Sequence, residues 1–325
     1  MTLTRRQFAG TGLALAATPF LGSGPLLAQG NRTKLTYATL KTGVSVIINE
    51  NLKAKRPDLD NGLEIDITNE YTSVSSYYSD FISGTFELGI GAWDTYLRMH
   101  RKSVPAKMAT TFTTGDMINI VSRQDGPSSV EGLHGKSLSG IAASGAFNMC
   151  KSAIANIYGM KLGKDVVVQN VPSPAQAMTL LMAQNVDAAL SWEPNVSAAM
   201  AKIDTMRPIF NLGDEYHAAT GKVLPYFGCA VRDEAIERDG DIAGKVHATF
   251  AQLMDQINAD PMEAFTIAAP HLNLDPEVLM GAHEAGRLKF ESYSMLADTG
   301  RDLIRQAQAF IDKDGAEIQD GFFAS

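Results

Sequence analysis

The spacing of hydrophobic positions predicts an alternation of strands and helices over most of the chain. Residues 34–40 read as a strand with Leu35, Tyr37 and Thr39 on one face. Lys41-Thr42-Gly43 turns the chain into a helix in which Val44, Ile47, Ile48 and Leu52 recur at helical spacing, with Pro57 beyond its end. Residues 63–67 alternate like a strand. Thr72 or Ser73 can cap the next helix, whose face is Val74, Tyr77, Tyr78 and Phe81 and which Gly84 ends. A small-residue strand over 87–93 completes a strand–helix–strand–helix–strand unit, the unit of a parallel α/β sheet. Residues 107–111 and 117–122 read as further strands, the second leaving the first lobe.

The turn-rich Gly126-Pro127-Ser128-Ser129 marks a boundary, and the pattern restarts beyond it. Residues 137–142 read as a strand and Ser144-Gly145 as a turn. A helix follows with Phe147, Cys150, Ile154 and Ile157 inward. Residues 166–168 read as a strand, and a helix from Pro174 buries Met178 and Leu181. A strand over 186–192 precedes a helix carrying Val196, Ala199, Met200 and Ile203. Residues 211–220 read as loop. Residues 226–231 read as an apolar strand returning to the first lobe, with hinge segments near 121–123 and 223–227. The remainder is helical: Ile242, Val246, Phe250, Leu253 and Ile257 share one face. Asp260-Pro261 and Asp275-Pro276 look like helix starts, and Ser294 like the cap of a last helix with Leu296, Leu303, Ala307 and Phe310. These helices are expected to pack on the first lobe.

Two stretches repeat one design. Glu87-Leu88-Gly89-Ile90-Gly91-Ala92-Trp93-Asp94 and Asp187-Ala188-Ala189-Leu190-Ser191-Trp192-Glu193 each start on an acid, run through a strand and end in Trp plus acid. A strand running into a helix start exposes unpaired N–H groups at its carboxyl end, where open α/β sheets bind ligands. Two such stretches suggest two similar lobes facing one cleft.

Composition narrows the class. The 325 residues are 45% hydrophobic and 20% charged, with a net charge of −8, as in ordinary globular proteins. No basic run interleaved with aromatics points to nucleic acid. Residues 1–28 stand apart: Arg5-Arg6 precedes a weakly apolar run, and Leu26-Leu27-Ala28 offers a small-residue cleavage point. This is the signature of a secretory leader of the twin-arginine type, and it implies a product free in a bacterial periplasm. The two cysteines, Cys150 and Cys229, are expected to be unpaired buried hydrophobes, although an exported chain can pair such residues.

At this point the chain resembles the substrate-binding proteins of ABC importers for nitrate, sulfonate, taurine and thiamine-pyrimidine-type solutes. The carriers are Ser129-Val130-Glu131-Gly132-Leu133-His134-Gly135-Lys136, Pro172-Ser173-Pro174-Ala175-Gln176-Ala177-Met178, Val186-Asp187-Ala188-Ala189 and Trp192-x-Pro194. Their order and spacing extend the resemblance over residues 34–311. It implies an α/β, two-lobed periplasmic binding protein fold, type II-like, with two hinge crossovers. It further implies closure around a small solute and an inner-membrane ABC permease as partner. The expected organisation is a leader over 1–28, a discontinuous first lobe over 29–122 and 224–325, and a second lobe over 123–223. His134 stands where the family has Asp or Lys, a surface departure.

A binding cleft needs convergent donors and a few oriented side chains. The turns Lys41-Thr42-Gly43, Ser73-Val74 and Ser144-Gly145 supply helix N-termini suited to an anion; Thr42, Ser73 and Ser144 equally suit ordinary caps. Trp93 and Trp192, the only two tryptophans, end strands at the cleft. With Phe147 and Phe227 they can form aromatic walls, or they can be core. Asp94 and Glu193 can grip an amine or can serve their own helix starts. Asn148 offers a polar handle, and Lys41 a positive charge. Together these features suit a sulfonate, a zwitterion or a polar heteroaromatic ring.

Catalysis is not expected. His100, His134, His217, His247, His271 and His283 show no metal-ligand spacing, and neither a nucleophile elbow nor a phosphate loop is present. Some relatives on the fold are desulfinases with a Cys in the first turn, but Lys41-Thr42-Gly43 has no thiol; Cys229 alone lies near the expected hinge. No cofactor or metal is expected, and the default state is a monomer. The same site would serve a periplasmic sensor that signals to a membrane receptor.

Overall fold

The computed structural model describes residues 32–312 and 315–325. The expected leader, residues 1–28, lies outside the described residues. From the amino end run β1 (Thr33–Leu40), α1 (Val44–Lys55), the short α2 (Pro57–Asp60), β2 (Leu63–Tyr71), α3 (Val74–Ser83), β3 (Leu88–Ala92), α4 (Trp93–His100) and β4 (Ala106–Thr111). Next come β5 (Ile118–Arg123), β6 (Ser137–Gly140), α5 (Gly145–Tyr158), β7 (Val167–Asn170), α6 (Pro174–Met182), β8 (Ala188–Trp192), α7 (Asn195–Met200), β9 (Met206–Asn211) and α8 (Leu212–Thr220). The chain then returns through β10 (Phe227–Arg232), α9 (Asp233–Arg238), α10 (Ile242–Ala259), α11 (Pro261–Leu272), α12 (Pro276–Glu284), β11 (Tyr293–Ser294) and α13 (Asp298–Ile311).

These strands build two sheets with one plan. The first has the order β2-β1-β3-β10-β4-β11 and the second the order β7-β6-β8-β5-β9. In each, the first strand of the local repeat pairs in parallel with the second and third. The strand that arrives from the other lobe pairs antiparallel between the third and the fourth: β10 in the first sheet, β5 in the second. The expected α/β, two-lobed architecture with two crossovers is thus present.

The crossovers run side by side. Gly115 N–H donates to the Leu224 carbonyl at 2.8 Å, and Tyr226 N–H to the Thr113 carbonyl at 2.8 Å. The first crossing therefore lies at 112–117, not at the expected 121–123. Those residues belong to β5, which is hydrogen-bonded on both edges. The second crossing, 221–226, lies close to expectation.

Three expectations near the carboxyl side need correction. Residues 211–220 are not loop: β9 ends at Asn211, whose side chain accepts from Asp214 N–H at 3.0 Å and starts α8. Ser294 does not cap the last helix but sits in β11, pairing with Thr110, and Leu296 beside it is exposed. The carboxyl-terminal helices also reach beyond the first lobe. Whereas α10 packs on β4 and α11 on α1, α12 touches α7 and α13 touches α5. Phe112 stacks on Phe250 at 5.0 Å between centroids, fixing α10 beside the first crossover. Cys150 and Cys229 are free and wholly buried, as expected. No described helix is long and apolar enough to cross a membrane.

Candidate functional site

A cavity of about 480 Å³ opens where the two sheets face each other. Four strand-to-helix turns reach it. Thr42, Val44 and Ser45 come from the start of α1, and Ser73, Val74 and Ser75 from the start of α3. Ala143, Ser144 and Gly145 come from the start of α5, and Ser173 from the start of α6. The first N–H groups of a helix have no partner within it, and the helix dipole adds partial positive charge there. Four helix starts around one cavity make it hospitable to an anion although no cationic side chain lines it among the described residues.

The capping serines are partly committed to their helices. Ser144 Oγ accepts from Phe147 N–H at 3.1 Å and donates to the Ile141 carbonyl at 2.8 Å, so both of its roles are used. Ser73 and Ser173 accept from the amides of Ser76 at 3.3 Å and Gln176 at 3.2 Å, and each retains an O–H to donate. Asn170 is oriented in the same way. Its Oδ1 accepts from Ala142 N–H at 2.9 Å, which leaves its NH₂ for the cavity.

Aromatic rings form the walls. Trp192 ends β8, Phe227 opens β10, and Tyr78 stands on the face of α3. Tyr226 packs beside Phe227 at 5.1 Å between centroids. Leu40, Ile141 and Val171 add aliphatic surface. Gly43 holds a positive φ of 67°, and a Cβ there would lie 3.0 Å from Trp192 Nε1. The glycine serves both the turn and the approach of the indole from the opposite lobe.

Seven of the residues singled out from sequence line this cavity: Thr42, Ser73, Val74, Ser144, Gly145, Trp192 and Phe227. Gly43 supports it from behind. The other six lie elsewhere, each for a physical reason. Lys41 pairs with Glu70 at 2.8 Å and borders a separate cavity of about 220 Å³ with Glu50 and His271. Trp93 is wholly buried; its Nε1 donates to the Pro225 carbonyl at 2.8 Å, so the ring fastens the second crossover instead of walling the cleft. Asp94 pairs with Arg98 on its own helix, and burial raises its pKa although Arg98 opposes the rise. Phe147 is core, packed over Gly140. Asn148 donates to the Ser144 carbonyl at 2.9 Å and borders a different groove with Trp93. Glu193 is 0% exposed and accepts from Arg287 Nε at 2.8 Å, Ser197 N–H at 3.1 Å and Ser197 Oγ at 3.0 Å. Burial raises its pKa, with Arg287 opposing.

Sequence reasoning missed Tyr78, Asn170, Ser173, Tyr226 and Thr95. Ser173-Pro174 carried a usable signal, because a cap followed by Pro is a helix start like the three that were recognised. Tyr78 was assigned to the packed face of α3, but that face is wide enough to serve the core through Tyr77 and the cleft through Tyr78.

No protein-family model and no curated protein matches the chain. Solved structures do. The periplasmic aliphatic sulphonate binding protein SsuA of Escherichia coli is 16% identical and superposes with a TM-score of 0.69 over 86% of this chain and 92% of its own. The alkanesulfonate-binding protein SsuA of Xanthomonas axonopodis pv. citri, solved with bound MOPS, is 17% identical with a TM-score of 0.67, over 86% of this chain and 91% of its own. A zinc-bound ligand-binding component of an ABC-type import system from Staphylococcus aureus is 11% identical with a TM-score of 0.66, over 90% and 96%. Identity this low establishes the architecture alone. Strand order, paired crossovers and these superpositions agree that the chain has the two-lobed periplasmic binding protein fold, of the type II-like plan.

Proposed function

We propose that the protein is a periplasmic solute receptor that closes on a small organic anion, of the sulfonate type, and delivers it to an ABC permease. One observation carries this reading: the cleft combines four helix starts and aromatic walls with no ionisable side chain other than the phenols of Tyr78 and Tyr226 among its described lining residues. Burial raises the pKa of both phenols, so they stay neutral. A singly charged, weakly basic head group with a tail matches such a site, since backbone dipoles favour the head and the rings the tail. Asp94 and Glu193, the acids that would hold an amine, are engaged with Arg98 and Arg287. A zwitterion or a cation is therefore less well matched than a sulfonate. The two SsuA proteins are described as sulfonate-binding, which agrees with this class.

Binding, not catalysis, suits a lining without thiol, imidazole or carboxylate. Cys229 is buried and its pKa is driven well up by desolvation. Hinge motion at 112–117 and 221–226 would open and close the cleft, with lobes divided at those crossings and ligand favouring the closed form through contacts to both. The twin-arginine leader supports export to the periplasm, and the receptor acts as a monomer.

A thermal-shift screen of residues 29–325, refolded to strip carried ligand, tests the reading. Alkyl and aryl sulfonates should raise the melting temperature, since a ligand at a hundred times its Kd adds about 2.7 kcal/mol. Stabilisation by quaternary amines or amino acids, with none by sulfonates, would overturn the anion assignment.

A further inference from the structure

The cleft is not the only large concavity among the described residues. A second groove, of about 870 Å³, runs between α4 of the first lobe, α5 and the 161–164 turn of the second, and the end of α13. Five cations line it: Arg98, Arg101, Lys151, Lys161 and Lys164. Among the described residues, only two carboxylates accompany them. Asp94 lies buried beneath Arg98 and is paired with it, and Asp312 stands 3.7 Å from Arg101. Lys151, Lys161 and Lys164 are exposed and make no ion pair among the described residues. The floor is apolar, with Leu97, Leu162 and Ile311. This concentration of positive charge sits on a chain whose net charge is −8. Unpaired lysines held together in an acidic protein repel one another, and they attract a multiply negative partner.

We infer that this groove docks an acidic segment of a partner protein, with carboxylates on the Lys151–Lys161–Lys164 rim and apolar side chains on the Leu97–Leu162 floor. Acidic motifs are bound by clustered cations, and an apolar floor adds burial that a small inorganic anion cannot exploit. The groove takes side chains from helices of both lobes, so it presents one complete surface only at one relative placement of the lobes. A partner docked there senses whether the hinge is open or closed. The assignment goes beyond the solute-receptor reading and needs no solute to be tested.

The probe is a short fluorescein-labelled peptide of alternating glutamate and leucine, followed by fluorescence anisotropy. Wild-type protein should bind it saturably, and salt should weaken the binding. The variant K151Q/K161Q/K164Q should bind roughly tenfold more weakly. Its melting temperature and its stabilisation by alkanesulfonates should match wild type, because the three exposed lysines lie outside the cleft. Replacing leucine by serine in the peptide should also weaken binding. Absence of saturable binding, or equal affinity in the variant, overturns the inference. Lysine-dependent binding of tripolyphosphate without binding of the peptide overturns it too, in favour of a small-polyanion site. The sulfonate shift, read on the same samples, reports on the receptor reading separately.

Discussion

Asp94 and Gly145 meet where the two lobes touch: a Cβ on residue 145 would stand 2.3 Å from Asp94 Oδ1 and 3.0 Å from the Ala92 side chain. Gly145 opens α5 of the second lobe and Asp94 lies in the first turn of α4 of the first. The glycine is thus a condition for the lobes to approach this closely. Gly145→Ala favours its own helix intrinsically, so its penalty falls on the lobe contact. Solute affinity should drop about tenfold with little change in urea midpoint, and the radius of gyration from small-angle scattering should rise. Unchanged affinity and radius would show that this contact does not govern closure. Asp94→Ala in the same chain should recover part of the loss.

Arg287 and Glu193 join the segment after α12 to the second lobe through a desolvated ion pair, with 18% and 0% of their side chains exposed. Removing one partner strands the other charge. Arg287→Met should cost about 3 kcal/mol in urea unfolding, the low end for a broken buried pair because Arg287 retains contact with water. The pKa of Glu193 is already raised by burial and should rise further in the variant. A raised carboxyl pKa makes the folded state bind protons more readily than the unfolded state. The deficit should therefore be smallest in acid and grow as pH climbs from the ordinary Glu range through the raised value. Adding Glu193→Gln should restore much of the loss at neutral pH.

Trp192 and Trp93 should respond differently to truncation. Trp192→Ala removes a cleft wall and should weaken solute binding at least tenfold, about 1.4 kcal/mol, with the fold intact by circular dichroism. Trp93→Ala empties a wholly buried site and frees the Pro225 carbonyl, and should cost about 3–5 kcal/mol of stability. The reverse pattern would exchange the two roles.

Glu70 is held between Lys41 at 2.8 Å and Lys53 at 2.7 Å, which lower its pKa from 4.5 to about 2. The stability this carboxylate contributes is complete above its ordinary pKa and is lost as pH falls from there towards 2. In Glu70→Gln that portion of the acid dependence should vanish. Denaturation curves of the two proteins should differ at neutral pH and converge in acid; parallel curves would rule out the clamp.

Much of the architecture was legible because it rests on periodicity and punctuation. Val44, Ile47, Ile48 and Leu52 mark α1, and Gly84 with a φ of 81° ends α3 where the sequence placed its end. The segment after β8 was harder. In β9 half-buried and buried residues mix without strict alternation, and α8 carries few apolar side chains, so neither period stands out. The site was half legible for a different reason. The phrases ending in Trp93 and Trp192 look alike, but what each indole meets is set by the opposite lobe. Trp93 finds the Pro225 carbonyl, while Trp192 finds Gly43, which has no side chain to cover it. Local pattern does not encode a partner more than a hundred residues away. The charges of Asp94 and Glu193 were readable too; Arg98 stands one helical turn from Asp94, whereas Arg287, which neutralises Glu193, lies 94 residues further on.

The strand plan has a consequence for the order in which the molecule can be made. Every strand of the second sheet lies between Ile118 and Asn211, so that lobe has its sheet complete as soon as this stretch has left the ribosome. The first sheet cannot be completed then, because β10, the strand between β3 and β4, has not yet been synthesised. Until Arg232 emerges, β3 and β4 each show an open edge of unpaired N–H and carbonyl groups. The amino-terminal half must therefore wait, exposed, for a strand encoded well over a hundred residues downstream, and the nascent chain passes through an interval in which its later lobe is folded and its earlier lobe is not.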